Sequence, residues 1–243
     1  MKREKSVSDA RHAKDKIADR KLSVVDIAVR KIREIIVDAR FEPGQKLVLS
    51  SLASYTGISV MPIREALRKL EGEGVVIFHP NKGATVKALD RKFLKDLYEV
   101  RAALHALALS GAVQHLTFTK AERLRGLCQE FDELIEKDKL PSIISCNRRL
   151  HQYIFELANN AHALRMFDRD WDVVQTLRLK FGYKKGRLYE ISREQHALVE
   201  ALISDDLNLA QSIMRMHNEA GLEDLLINFH GKVSSPEHCD LSV

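Results

Sequence analysis

Residues 49–70 read LSSLASYTGISVMPIREALRKL, and this stretch decides the fold of the N-terminal part of the chain. It predicts two short helices meeting across a tight turn, the helix-turn-helix pattern. Close crossing of two helices needs a small side chain, and Ala53 supplies it. The turn needs a residue that tolerates positive φ, and Gly57 supplies that. Leu52 on the first helix, Ile58 in the turn, and Ile63, Ala66, Leu67 and Leu70 on the second form an apolar seam at helical spacing. Ser59 is placed as the N-cap of the second helix, and Pro62 falls in its first turn, where a missing N–H costs little.

Working outward, Val25, Ala28, Val29, Ile32, Ile35 and Ile36 predict a helix before the motif, ended by Pro43-Gly44. After it, Gly74-Val-Val-Ile-Phe78 and Ala84-Thr-Val86 flank the turn His79-Pro-Asn-Lys-Gly83, which predicts a small hairpin or wing. A basic, glycine-tipped loop beside a helix-turn-helix points to double-stranded DNA. The N-terminal part of the second helix is what reaches base edges. Ser59, Val60, Met61, Arg64 and Arg68 are left on or near its open face. Arg64 suits a guanine or a phosphate, whereas Val60 and Met61 offer only apolar contact, such as to a thymine methyl. Lys82 and Gly83 belong to the wing.

Charge follows the same division. Residues 1–90 carry 18 Lys and Arg against 12 Asp and Glu, and residues 91–243 carry 21 against 22. A basic first third suits a polyanion partner. Residues 1–22 are expected to be a flexible basic arm, 23–89 the winged helix-turn-helix, 90–230 an antiparallel bundle of six helices, and 231–243 a flexible tail. The expected fold is therefore mainly α with a small β wing.

Several function classes are excluded by what is missing. Cys128, Cys146 and Cys239 form no C-x-x-C pair, so neither a disulfide scaffold nor a zinc ribbon is indicated. No apolar run is long enough to span a bilayer, and the N-terminus lacks a secretory core, so a cytoplasmic protein without membrane contact is expected. There is no H-E-x-x-H, G-x-S-x-G, P-loop or G-x-G-x-x-G, which argues against an enzyme.

In the helical part, Asn147 and His151 stand at i and i+4, on one helix face. His196 precedes Ala197, Leu198, Ala201 and Leu202, and His217 accompanies Ile213, Met214 and Ala220. On inward faces, the three imidazoles and one amide oxygen suit Zn²⁺, with Ni²⁺ or Mn²⁺ as alternatives. The other reading is three separate buried histidines. Arg101, and Arg178 as a second candidate, either clamp a carboxylate or lie in solvent or an interface.

The motif resembles the GntR family of regulators over residues 24–87. The resemblance rests on Pro43-Gly44, Leu52-Ala53, Gly57-Ile58-Ser59, Pro62-Ile63-Arg64-Glu65-Ala66-Leu67, Leu70, Glu73-Gly74 and Pro80-Asn81-Lys82-Gly83. It implies operator contacts from Arg64 and a minor-groove approach by the wing. Val60-Met61 stands where the family commonly has Arg-Thr. Residues 93–226 are similar to the FCD ligand-binding domain of the family's FadR branch. That likeness rests on Leu97-Tyr98-Glu99-Val100-Arg101, Asn147-Arg-Arg-Leu-His151, Asn160, His196 and His217. It implies a divalent metal held by Asn147, His151, His196 and His217, a small carboxylate or sugar-acid effector, and a homodimer whose operator binding the effector modulates. Asn147 replaces the usual Asp, and His105 stands where Glu is frequent. The alternative is a DNA-binding adaptor whose helical part only dimerises.

Overall fold

The computed structural model describes residues 22–230, except Ala39 and Asn81. The expected arm and tail lie outside the described residues, apart from Leu22. Helix α1 (Val24–Val37) starts with a reciprocal cap between Ser23 and Asp26, which satisfies two backbone donors at once. Its apolar stripe, Ala28, Val29, Ile32, Ile35 and Ile36, is buried.

Helices α2 (Leu49–Thr56) and α3 (Val60–Gly72) form the helix-turn-helix. Gly57 closes α2 at φ 70°, its N–H reaching the Ala53 carbonyl at 2.9 Å. Leu52, Ile63, Ala66, Leu67 and Leu70 are all buried, so the seam forms as the spacing requires. Lys31 donates to the Thr56 carbonyl at 2.8 Å, which ties α1 to the end of α2.

The wing is a hairpin of β2 (Val76–His79) and β3 (Gly83–Val86), in register at Ile77 with Thr85. A third strand, β1 (Lys46–Leu47), joins on the far side, giving the antiparallel order β1-β3-β2. No sequence signal marks β1, because two residues cannot display a two-residue alternation.

Six helices follow: α4 (Arg91–His115), α5 (Phe118–Glu136), α6 (Leu140–Leu157), α7 (Ala161–Phe181), α8 (Arg187–Ile203) and α9 (Leu207–His230). They form an antiparallel bundle whose breaks fall where the apolar pattern lapses. Asn160 caps α7 through the Ala163 N–H at 3.0 Å. At Gly111, α4 passes so near the end of α6 that a Cβ would lie 2.9 Å from the Ala158 carbonyl oxygen. None of the helices among the described residues is long and apolar enough to cross a membrane.

The winged helix does not have its core to itself. One apolar cluster runs from Ile32, Leu52 and Leu67 into Phe93, Leu94, Tyr98, Val173, Val174, Leu177, Phe181 and Leu225 of the bundle. Beside this seam Arg33 makes a two-pronged bond to Glu73, at 2.8 and 2.6 Å. Arg33 also lies 3.8 Å from Asp172 on α7. Lys180 of α7 donates to the Val37 carbonyl at 2.6 Å and pairs with Asp38 at 3.1 Å.

Burial raises the pKa of the Glu73 carboxyl even though Arg33 opposes the shift. Desolvation thus dominates at this pair, as is common for buried ions. We expect Arg33→Met alone to destabilise the fold by about 3 kcal/mol, because Glu73 is left buried and unpaired. The double variant Arg33→Met/Glu73→Leu is expected to recover most of that loss, as read by urea denaturation.

Candidate functional site

Two faces carry chemistry, one on α3 and the wing, the other inside the bundle. The α3 N-terminus is open. Ser59 is the N-cap residue by backbone geometry, but its hydroxyl makes no capping bond and is left exposed. Val60 and Met61 are exposed, Met61 at 66%. Arg64 is exposed and has no ion pair among the described residues. Arg68 is committed elsewhere, lying over the Phe78 ring of β2 at 5.4 Å. Lys69 pairs with Asp26 at 2.9 Å. Lys82 and Gly83 are exposed at the wing tip, and Lys82 shares a shallow basic concavity with Lys46, His79 and Thr85. Arg64, the Ser59 hydroxyl and the positive helix N-terminus thus face outward beside a basic wing.

Inside the bundle is a cavity of about 30 Å³, lined by Tyr98, Arg101, Asn147, Trp171, Arg178, Arg187, His217 and Asn218 among others. Three guanidinium groups border it in different states. Arg178 pairs with the fully buried Asp224 and donates to the Gly221 and Gly182 carbonyls at 2.7 and 3.1 Å. Arg178, the second effector candidate, lines the cavity with its charge already paired inside the protein. Arg187 holds Glu194 at 2.5 and 2.9 Å. Arg101 differs: it is 5% exposed, and its Nε and Nη1 have no hydrogen-bond partner. Its guanidinium lies 5.0 Å from the Trp171 ring centre and 5.6 Å from that of Tyr98. Burial lowers its pKa, with Tyr98 and Asp170 opposing.

The four expected metal ligands are not brought together. His151 is buried, and its ring lies 5.2 Å from that of His217. Asn147 is buried nearby, but its Oδ1 accepts from Gln195 Nε2 at 2.8 Å. His196 corrects the sequence reading: it lies on the outer face of α8, exposed and bonded to Asp132 at 2.8 Å. Each helical residue turns about 100°, and the inward stripe of α8 runs through Gln195, Leu198, Ala201 and Leu202. Gln195 therefore occupies the place assigned to His196. His217 Nδ1 donates to Glu194 at 2.6 Å. Two imidazoles and two mutually bonded amides do not fit the expected three-imidazole site. No trio of His, Cys, Asp or Glu among the described residues is arranged to hold an ion.

The sequence reading noted His105 without assigning it a role. It is fully buried, with Nε2 3.1 Å from His151 Nδ1, and Asn218 Nδ2 lies 3.3 Å from its Nδ1. Burial holds both His105 and His151 well below the ordinary histidine pKa, so both rings are neutral.

An outward-facing recognition helix, a basic wing and a helical bundle fused through one core define a winged-helix DNA-binding transcription regulator rather than an enzyme. The chain belongs to the GntR family of bacterial regulatory proteins, matched over residues 26–86, and carries an FCD domain over residues 96–220. The Nta operon transcriptional regulator of Aminobacter aminovorans is 30% identical over 169 residues, which cover 70% of this chain and 78% of that one. The transcriptional repressor GlaR of Escherichia coli (strain K12) is 26% identical, covering 77% of this chain and 89% of that one. The solved structure of E. coli McbR/YncC superposes with a TM-score of 0.64 at 22% identity, covering 86% of this chain and 99% of that one.

Around the cavity, Glu194 has a testable acid signature. Desolvation raises its pKa, but the bonds from His217 and Arg187 outweigh this and bring it down to about 2. A carboxylate depressed in the folded state contributes stability above its unfolded pKa, near 4.3, and loses it as pH falls through the folded value. We expect the urea midpoint to fall between pH about 5 and 2, and Glu194→Gln to flatten that fall. An unchanged slope in the variant would exclude Glu194 as its source.

Proposed function

We propose that the chain is a cytoplasmic homodimeric regulator that binds an operator palindrome through α3 and the wing, and releases it when a small carboxylate enters the bundle cavity. The observation that carries the effector reading is Arg101, a buried guanidinium with two unpartnered nitrogens at the cavity wall. An unpaired buried cation is costly, and a carboxylate is its natural complement, since it can accept two parallel N–H bonds. A small sugar acid presents the same group. Repressor GlaR, among the relatives, supports repression as the mode. Val100 and Leu107 stand two helical turns apart on α4, 45% and 51% exposed, and offer an apolar seam to a second copy. A bundle that served only to dimerise an adaptor would leave Arg101 without a purpose.

Two measurements test the operator side. Arg64→Ala is expected to weaken specific binding by about 1–3 kcal/mol if the side chain reads a base. Lys82→Ala is expected to weaken all sequences alike and to reduce the salt slope by about one unit. A normal affinity in the first, or an unchanged slope in the second, would remove that residue from the interface.

On the effector side, Arg101→Met is expected to act in two directions. Without ligand it raises the melting temperature, because an unpaired buried charge is gone. With a panel of small carboxylates and sugar acids, the parent melts higher by mass action and the variant does not respond. Operator binding persists in the variant. A melting temperature that falls in the variant, beside an intact ligand response, would move the effector away from Arg101.

A further inference from the structure

The two longer helices of the winged domain start differently. Helix α1 has an acid in its first turn and a reciprocal cap between Ser23 and Asp26. The first turn of α3 is Val60-Met61-Pro62-Ile63, without an acid, and the Ser59 hydroxyl makes no capping bond. Ile63 is buried in the core, whereas Val60 is 39% and Met61 66% exposed. Hydrogen-bonding caps and acids stabilise a helix start. Two exposed apolar side chains there serve neither the helix nor the core, which directs attention to what they meet outside the chain.

Their place on the helix narrows the answer. At about 100° per residue, Met61 falls opposite the buried stripe of Ile63, Ala66, Leu67 and Leu70, at the centre of the outward face. Arg64 and Glu65 lie one turn on, to either side of it, and both are exposed. Val60 flanks Arg64. The other two cations of α3 are engaged within the domain, Arg68 over the Phe78 ring and Lys69 with Asp26. A carboxylate beside Met61 is repelled by phosphates, so this face suits base edges rather than the backbone. Polar reading from it falls to Ser59, Arg64 and Glu65. Met61 and Val60 need an apolar feature, and the major groove presents one, the C5 methyl of thymine. Cytosine carries hydrogen at that carbon, and 5-methylcytosine carries the methyl again.

We propose that Met61, with Val60 beside it, reads a C5-methyl pyrimidine in each operator half-site, next to the base that Arg64 contacts, and that thymine and 5-methylcytosine both serve. This rests on the operator reading of α3 and names the base feature that its apolar start selects. Neither side chain carries a strong hydrogen-bonding group to tell the thymine O4 acceptor from the cytosine N4 donor. Recognition comes from burying the methyl against the Met61 thioether and the Val60 isopropyl group, and the unbranched Met61 side chain can adjust to fit it.

The test uses the full-length protein, with its preferred duplex first selected from a randomised pool. Each thymine of that duplex is then replaced, in both half-sites, by deoxyuridine, which lacks only the methyl, and affinity is read by fluorescence anisotropy at fixed salt. At one position uracil is expected to weaken binding about tenfold, the worth of two buried methyl groups. With a cytosine·guanine pair at the same position, methylation of the cytosine at C5 is expected to recover about tenfold. Met61→Ala, a change at an exposed position, is expected to bind the selected duplex more weakly and to hold the thymine and uracil forms equally. Val60→Ala is expected to narrow the difference between the two forms.

A thymine–uracil difference that persists undiminished in Met61→Ala would overturn the assignment, since a side chain with only a structural role leaves the methyl effect in place. An undiminished difference in Val60→Ala would remove Val60 from the contact. Uracil tolerated at every position, or 5-methylcytosine bound no better than cytosine, would overturn the methyl reading and leave operator binding through Arg64 and the wing standing. A pool that yields no preferred duplex would remove both.

Discussion

Helix α7 is held on two sides, and the arrangement of the molecule follows from that. Toward the winged helix it presents Val173, Leu177 and Phe181 to the shared apolar cluster, and Lys180 to the end of α1. Toward the cavity it presents Trp171, Val174 and Arg178. Asp172 stands between, 2.7 Å from Arg148 of α6 and 3.8 Å from Arg33 of α1. A close-packed helix has little room to deform, so its two faces cannot move independently. Arg33 in turn grips Glu73 just past the end of α3. The cavity wall and the recognition helix are thus joined through side chains in direct contact, and no flexible tether separates them.

Other buried arginines of the protein are paired with carboxylates, which makes Arg101 informative. Arg178 has Asp224, Arg187 has Glu194, and Arg33 has Glu73. Among the described residues, the rings of Trp171, Tyr98 and Phe167 lie against Arg101, and cation–π contact replaces part of the lost hydration but none of the hydrogen bonds. A large apolar core can carry such a cost, and destabilised groups of this kind concentrate at functional sites.

What the sequence disclosed depended on how local the cause was. The helix-turn-helix was legible because Gly57 and Pro62 act on their own backbone, and because Leu52, Ile63, Leu67 and Leu70 repeat at helical spacing. Strand β1 was invisible because Lys46 and Leu47 form a strand only against Thr85 and Ala84 of β3. The candidate ligands failed at one residue. Apolar neighbours follow both Gln195 and His196, so a broad stripe cannot say which of two adjacent residues faces inward. Packing decides for Gln195, and its bond to Asn147 makes the choice visible. The solitary state of Arg101 has no local signature at all, since whether an arginine is paired depends on helices far away in sequence.

The histidines show how far a single neighbour can alter a site's chemistry. Three imidazoles, His105, His151 and His217, stand with adjacent rings 5.0 and 5.2 Å apart, near enough to suggest a metal cluster. Yet a ring nitrogen is a donor or a ligand according to what its other nitrogen does. A carboxylate or carbonyl beside the outer nitrogen leaves the inner one free to bind an ion. In this bundle Asn218 Nδ2 lies 3.3 Å from His105 Nδ1, and His105 Nε2 lies 3.1 Å from His151 Nδ1. His217 is held from another side, since Glu194 accepts from its Nδ1. Glu194 also accepts from Arg187, so the orientation of His217 depends on a carboxylate that at the same time neutralises a buried guanidinium.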